Sequence, residues 1–311
     1  MARRAGRPLR RLGRQLCRSW LGERALLARY ERIFGRAFDR RDPQSFTARL
    51  FAQMLATNRS CDPVQTRLAD KLLARDFVAG RVGEAHLVKL LWSGQDPAAI
   101  PFDRLPSSFV VKTNHASGQV IMVDGVHDPA AIVARLSGWL TQNFYWALHE
   151  GQYYRIPPRI LIETYLKDGT AEPLVYRHWC FDGEVAIVQV DDTTKPAIDV
   201  MSFYDSRWRR LDLQYDPRGY HRDFARPAGL DEMVAVAGKL SRGLPFVRVD
   251  LYNVAGRTYF SEMTFTPRGG ELIFEPPQWD MILGAKWAAP GSIATSEELA
   301  PPEDERIAAI A

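Results

Sequence analysis

The 311-residue chain lacks the features that mark several protein classes. Its three cysteines, Cys17, Cys61 and Cys180, are far apart and show no CxxC or Cys/His spacing, so neither a disulfide framework nor a zinc site is supported. No apolar run approaches 18 residues and no apolar stretch precedes a cleavage site, which points to a cytosolic protein without a spanning helix. Neither GxGxxG nor GxxxxGK[ST] occurs, so any nucleotide is held by another arrangement. The six histidines are dispersed.

Acid is missing from the start of the chain. The first 18 residues, MARRAGRPLRRLGRQLCR, hold seven arginines and no carboxylate, although the net charge is only +4. Leu9, Leu12, Leu16 and Trp20 recur at spacings of three and four, on one face of a helix with arginines around the rest. This basic arm, residues 1–20, either lies on an anionic membrane surface or is a solvated extension. Basic and aromatic residues do not continue to interleave beyond it, so nucleic acid is not an expected partner.

Residues 21–105 form a region of helical periodicity as far as Leu91, followed by the Pro-rich connector QDPAAIPFDRLPSSF. FVVKTNHASGQVIMV then reads as strand, loop and strand, with a helix near Pro129 to Asn143 and a further strand in RILIETYL, giving a unit over 106–166. A second unit over 167–290 contains the hairpin LVYRHWCFDGEVAIVQVD, turning at Asp182-Gly183, and a helix from Leu230 to Leu240. The Ala-, Pro- and Glu-rich tail, 291–311, is expected to be flexible. Hairpins alternating with helices argue for an α+β fold with antiparallel sheets rather than a simple Rossmann domain.

The stretch VRVDLYNVAGRTYFSEMTFTP is the most informative. Centred on Gly256, it pairs Asp250 with Glu262 and Arg248 with Thr264 on one face, leaving Val247, Val249, Leu251, Met263 and Phe265 for a core. Carboxylates directly across a ladder repel unless a positive charge lies between them. A divalent cation with oxygen ligands would serve, and Mg²⁺ usually completes its shell with phosphates. The alternative is a surface pair bridged by Arg248, and a one-residue shift in the loop would place Ser261 opposite Asp250.

Lys112 ends the strand FVVK before the small-residue loop TNHASGQ, where its ammonium could neutralise phosphates or simply sit at the surface. Glu163 lies in the apolar strand LIETYL and needs a partner if buried: a purine amino group, a ribose hydroxyl or a basic side chain. On an edge strand it would point to water. Arg177, in VYRHW, faces either inward or outward.

With these residues in place, the chain resembles the ATP-grasp superfamily, and within it the TupA-like branch associated with teichuronopeptide and cell-surface polysaccharide synthesis. DPQSFTARL, ADKLLARDFV, LPSSFVVKTNHASG, PPRILIETYL, YRHWCFDGEV, RVDLY, YFSEMTFTPRGG and WDMILG carry the likeness, from Asp42 to Gly284. The resemblance implies two α+β subdomains holding ATP and Mg²⁺ between antiparallel sheets. Lys112 would contact phosphates, and His115, Ser117 and Gly118 would belong to a mobile lid. Glu163, Thr164, Tyr165 and Leu166 would meet the adenine, and Arg177 stands where the branch usually has lysine.

By the same resemblance Asp250 and Glu262 are magnesium ligands, Thr264 is a third oxygen where many members have asparagine, and Arg248 stabilises charge. The amides of Gly269 and Gly270 would hold a tetrahedral oxyanion, as a Gly-rich turn permits. The implied activity is carboxylate–amine ligation through an acyl-phosphate, with a small-molecule or glycan acid or amine as partner. A glycan phosphotransferase and a non-catalytic ATP-binding scaffold are the alternatives. Asp250→Asn and Glu262→Gln are each expected to abolish turnover with the fold intact.

Overall fold

Two antiparallel sheets line one cleft between them and carry most of its charged residues. The structure, a computed structural model, describes residues 6–169, 172–192, 200–215 and 221–287, with side chains from residue 18 onward. The expected tail over 291–311 and residues 1–5 of the arm lie outside the described residues.

Helices α1 (Gly6–Phe34), α2 (Phe46–Ser60), α3 (Pro63–Ala69) and α4 (Ala74–Val82) come first. Ser45 caps α2 by accepting from the Ala48 amide, and Asp62 caps α3 from the Gln65 amide with Pro63 in the first turn. The backbone of α1 is unbroken across residue 20, and Arg18 is buried in the body. An arm ending at residue 20 therefore cuts into packed structure.

The first sheet has the order β1-β4-β2-β3, from β1 (Leu90–Gly94), β2 (Ser108–Thr113), β3 (Val120–Asp124) and β4 (Ile160–Thr164). Helix α5 (Pro129–Leu140) and the short α6 (Tyr145–Leu148) lie between β3 and β4 in the chain. Strand β1 corrects the expectation that helical pattern runs to Leu91. Leu90–Gly94 pairs with β4 across Ser93↔Leu161, which the helical spacing of its leucines concealed.

The second sheet has the order β7-β6-β5-β8-β9, from β5 (Val175–Phe181), β6 (Glu184–Asp192), β7 (Val200–Tyr204), β8 (Val247–Val254) and β9 (Arg257–Thr264). Helix α7 (Leu230–Ser241) precedes β8, and α8 (Gln278–Lys286) follows β9. This is the expected α+β architecture. Among the described residues no helix is long and apolar enough to cross a membrane.

Strand periodicity of two decides what each face carries. Val247, Val249, Leu251, Met263 and Phe265 pack with Phe77 and Val78 of α4 and Met233, Val236 and Leu240 of α7. On the opposite face Trp179, Phe203 and Phe246 pack with Leu26, Phe46, Phe51 and Leu283 from α1, α2 and α8. In the first sheet Phe109, Val111, Ile160 and Ile162 meet Ile132 and Leu136 of α5. The alternate positions, including Lys112 and Glu163, are left to face elsewhere.

The β8–β9 hairpin keeps the expected pairs Asp250↔Glu262 and Arg248↔Thr264. Its turn is the two-residue Ala255-Gly256, with φ of 49° and 79°, which suits the twist of the strands. Val254 pairs with Arg257 and Leu251 with Phe260, one residue out of step with Asp250↔Glu262. A bulge beyond Leu251 and Phe260 restores the step, so both registers weighed from the sequence occur in succession.

Candidate nucleotide-binding site

A cleft of ≈ 430 Å³ is lined from one sheet by Val110, Lys112, Met122 and Glu163, and from the other by Arg177, Asp250, Tyr252 and Glu262. Ser117 and Gly118 of the β2–β3 loop and Thr164, Tyr165 and Leu166 after β4 also line it. Val120 and Met122 leave large apolar side chains exposed there. The cleft thus combines an apolar half with a strongly charged half, as a nucleotide requires.

Glu163 finds the basic partners that its burial demands. Its Oε1 accepts from Arg75 at 2.7 Å and its Oε2 from Lys112 at 2.9 Å. Strand β4 lies between β1 and β2, so Glu163 is not at a sheet edge. Arg75 also donates to the Val88 carbonyl at 2.7 Å, which fixes α4 against the first sheet. Burial opposes the Lys112 ammonium, but Glu163, Tyr252 and Glu262 together hold the lysine above its ordinary pKa.

The facing carboxylates are surrounded by cations. Arg248 forks onto Asp250 with two hydrogen bonds of 2.7 Å and donates to Thr264 Oγ1 at 3.1 Å. Arg177 Nε stands 2.8 Å from Asp191 and 3.8 Å from Asp250. Lys71, between α3 and α4, lies 3.5 Å from Glu262 and donates to the Ala116 carbonyl of the loop at 2.7 Å. Burial alone would raise the Glu262 carboxyl, yet Lys71, Arg248, Arg177 and Lys112 together hold it below its usual range. Burial raises Asp250 against the pull of Arg248 and Arg177.

The donor set fits a hard cation. Asp250, Glu262 and Thr264 supply only oxygens, and Glu262 has its nearest basic nitrogens at 3.5 and 3.8 Å, outside tight hydrogen bonding. Among the described residues no three His, Cys, Asp or Glu side chains converge on one point. Two facing carboxylates completed by phosphate oxygens and water are the pattern of Mg²⁺ rather than of an all-protein cage.

Five expected site residues are not in the cleft lining: Arg248 and Thr264 reach it only through Asp250 and Glu262, while His115, Gly269 and Gly270 stand apart from it. His115 is buried beside the backbone of Trp139 and Gln142 at the end of α5, and burial lowers its pKa. Gly269 donates its amide to the Thr266 carbonyl at 2.9 Å, so that amide is engaged within the turn instead of facing an oxyanion. Both glycines have positive φ, and an added Cβ would fall 2.6 Å from Leu148 at Gly269 and 2.6 Å from Phe51 at Gly270. Close packing accounts for both.

With this geometry described, comparison with known proteins decides the family. A profile of the TupA-like ATPgrasp family matches residues 49–288. The chain belongs to the TupA-like ATP-grasp family. No curated relative matches the chain. Among solved structures, D-alanine–D-alanine ligase from Bacillus anthracis is similar at 17% identity and a TM-score of 0.42, over 75% of this chain and 68% of that one. The same enzyme from Helicobacter pylori is similar at 12% identity and 0.42, over 76% and 61%. The ATP-grasp ligase PsnB, complexed with a phosphomimetic precursor variant, Mg and ADP, is similar at 11% and 0.41, over 78% and 70%.

Sequence reasoning passed over several residues that this ATP-grasp protein brings to the cleft. Lys71 and Glu172 line it, with Glu172 accepting from the Tyr165 hydroxyl at 3.3 Å. Arg75 and Asp191 orient its charges. Lys71, in ADKLLARDFV, belongs to a stretch of helical spacing that only tertiary packing carries to Glu262 of β9.

Behind the turn after β9, Thr266 donates to buried Glu150 and accepts from Gln152 at 2.7 Å. Burial pushes the Glu150 carboxyl up to about 7, from an ordinary 4.5. Between those values the folded protein keeps a proton that the unfolded chain has lost, so stability falls as pH rises and levels off above about 7. Glu150→Gln is expected to remove that slope, worth about 3 kcal/mol in total. Urea midpoints from pH 4.5 to 8 for both proteins check it, and parallel curves would refute it.

Proposed function

We propose that this protein is an ATP- and Mg²⁺-dependent carboxylate–amine ligase acting in cell-surface polysaccharide synthesis. The observation that carries the reading is the juxtaposition of Lys71, Lys112, Arg177 and Arg248 with the Asp250/Glu262 pair in a cleft that also offers an apolar face. Phosphoryl transfer needs positioning and charge neutralisation more than a protein nucleophile. The lysines would hold ATP phosphates, Val110, Val120, Met122 and Leu166 the base, and Asp250, Glu262 and Thr264 the metal. Bound Mg²⁺ would supply charge neutralisation on the phosphates.

In the reaction, a substrate carboxylate oxygen bonds to the γ-phosphorus as its bond to the ADP oxygen breaks. An amine then bonds to the acyl carbon, inorganic phosphate leaves, and the amine loses a proton. Arg248, held by Asp250, stands beside this charge. An amino acid or peptide coupled to a uronic-acid sugar is the substrate class in keeping with the family. Substituting hydroxylamine for the amine tests the reading. Hydroxamate with ADP and free phosphate in equal amounts is expected, whereas ADP with a phosphate ester and no free phosphate would replace it with a phosphotransferase.

A further inference from the structure

The TupA-like protein exposes large apolar side chains that are not part of the cleft lining. Trp20 is 56% exposed, Leu21 44% and Trp146 51%, unusual values for such large apolar side chains. Trp20 lies on α1 roughly opposite Arg18 and Gly22, which face the body, because two residues advance a helix by about 200°. The Tyr145 hydroxyl donates to the Arg18 carbonyl at 3.2 Å and lies where a Cβ on Gly22 would fall. Its ring centroid is 4.9 Å from that of Trp146. Tyr145 thus ties α1 to the segment that carries Trp146.

The charge around Trp20 is positive. Arg24 lies over the Trp20 ring at 4.8 Å. Glu23, the first acid of the chain, is bound by Arg40 at 2.6 Å and Arg59 at 2.9 Å. Seven arginines precede it in sequence, five of them, Arg7, Arg10, Arg11, Arg14 and Arg18, within α1. Leu9, Leu12 and Leu16 share a helical spacing with Trp20, and the exposure of Trp20 shows that the stripe ends outside the core.

We propose that Trp20, Leu21 and Trp146 dock the folded body on an anionic lipid bilayer, the indoles entering the headgroup layer while the arginines meet acidic headgroups. An amphipathic tryptophan suits the wet edge of a hydrocarbon layer, and juxtamembrane cations attract anionic lipid. The surface is independent of the reaction and would hold the enzyme beside a lipid-borne substrate.

The test is co-sedimentation of the full chain with vesicles of phosphatidylglycerol and phosphatidylcholine, and of phosphatidylcholine alone, for wild type and Trp20→Ser/Trp146→Ser. Wild type is expected to bind the anionic vesicles only. The double variant should lose about tenfold in partitioning for each indole, with thermal midpoint unchanged. Equal binding by variant and wild type, equal binding to both vesicles, or loss of self-association in place of vesicle binding would overturn the proposal. Should the variant not fold, tryptophan quenching of wild type by brominated lipid in anionic vesicles decides: quenching supports the docking and its absence refutes it.

Discussion

Asp250→Ala is expected to destabilise the fold by about 3–5 kcal/mol, because it leaves the Arg248 guanidinium buried without its carboxylate. Arg248 is 4% exposed and gives two of its donors to Asp250, so no water replaces the lost acceptor cheaply. The thermal midpoint should fall by about 10 °C. Glu262→Gln contrasts with it. The Glu262 side chain is 30% exposed and its ion contacts are 3.5 and 3.8 Å long, so its loss should change stability by less than about 1 kcal/mol. Asp250→Asn, expected to leave the fold intact, keeps an oxygen for Arg248 that Asp250→Ala removes. Urea denaturation of Asp250→Ala and Glu262→Gln checks the contrast, and equal midpoints would contradict it.

Lys112→Met and Lys71→Met are each expected to raise the Kd for ATP by about tenfold to a hundredfold, the worth of a charge-assisted hydrogen bond to phosphate. The two lysines approach the cleft from different elements: Lys112 from β2 against Glu163, and Lys71 from the α3–α4 junction against Glu262 and the Ala116 carbonyl. Lys112→Met also leaves Glu163 with Arg75 alone, so some stability should be lost as well. Titration calorimetry with ATP at fixed magnesium separates the roles. An unchanged Kd with lowered stability would make Lys112 a structural partner of Glu163 only.

What the sequence revealed depended on the range of the interaction. The Asp250/Glu262 and Arg248/Thr264 pairs follow from hairpin arithmetic, since the strands are adjacent and Gly256 marks the turn. Lys71 and Arg75 were invisible as site residues because their helical spacing says nothing of the 45- and 88-residue separations to Ala116 and Glu163. Glu163 announced a need for a partner without naming it. Gly269 and Gly270 suggested an oxyanion turn, but the same glycines are required by Leu148 and Phe51 packing against them, which no local pattern encodes. The start of β1, Leu90 and Leu91, continues a helical spacing, and the pairing with β4 that makes it a strand is long-range.

In the proposed reaction ATP and magnesium bind together in the cleft through Glu262 and its neighbours. Thermal unfolding of wild type and Glu262→Gln with magnesium alone, ATP alone and both together tests it most directly. Ligand at about a hundred times its Kd adds ~2.7 kcal/mol, enough to raise the midpoint by about 5 °C. That shift is expected for wild type only when both are present, and a much smaller one for Glu262→Gln. No shift with both ligands, or the same shift in the variant, would contradict it.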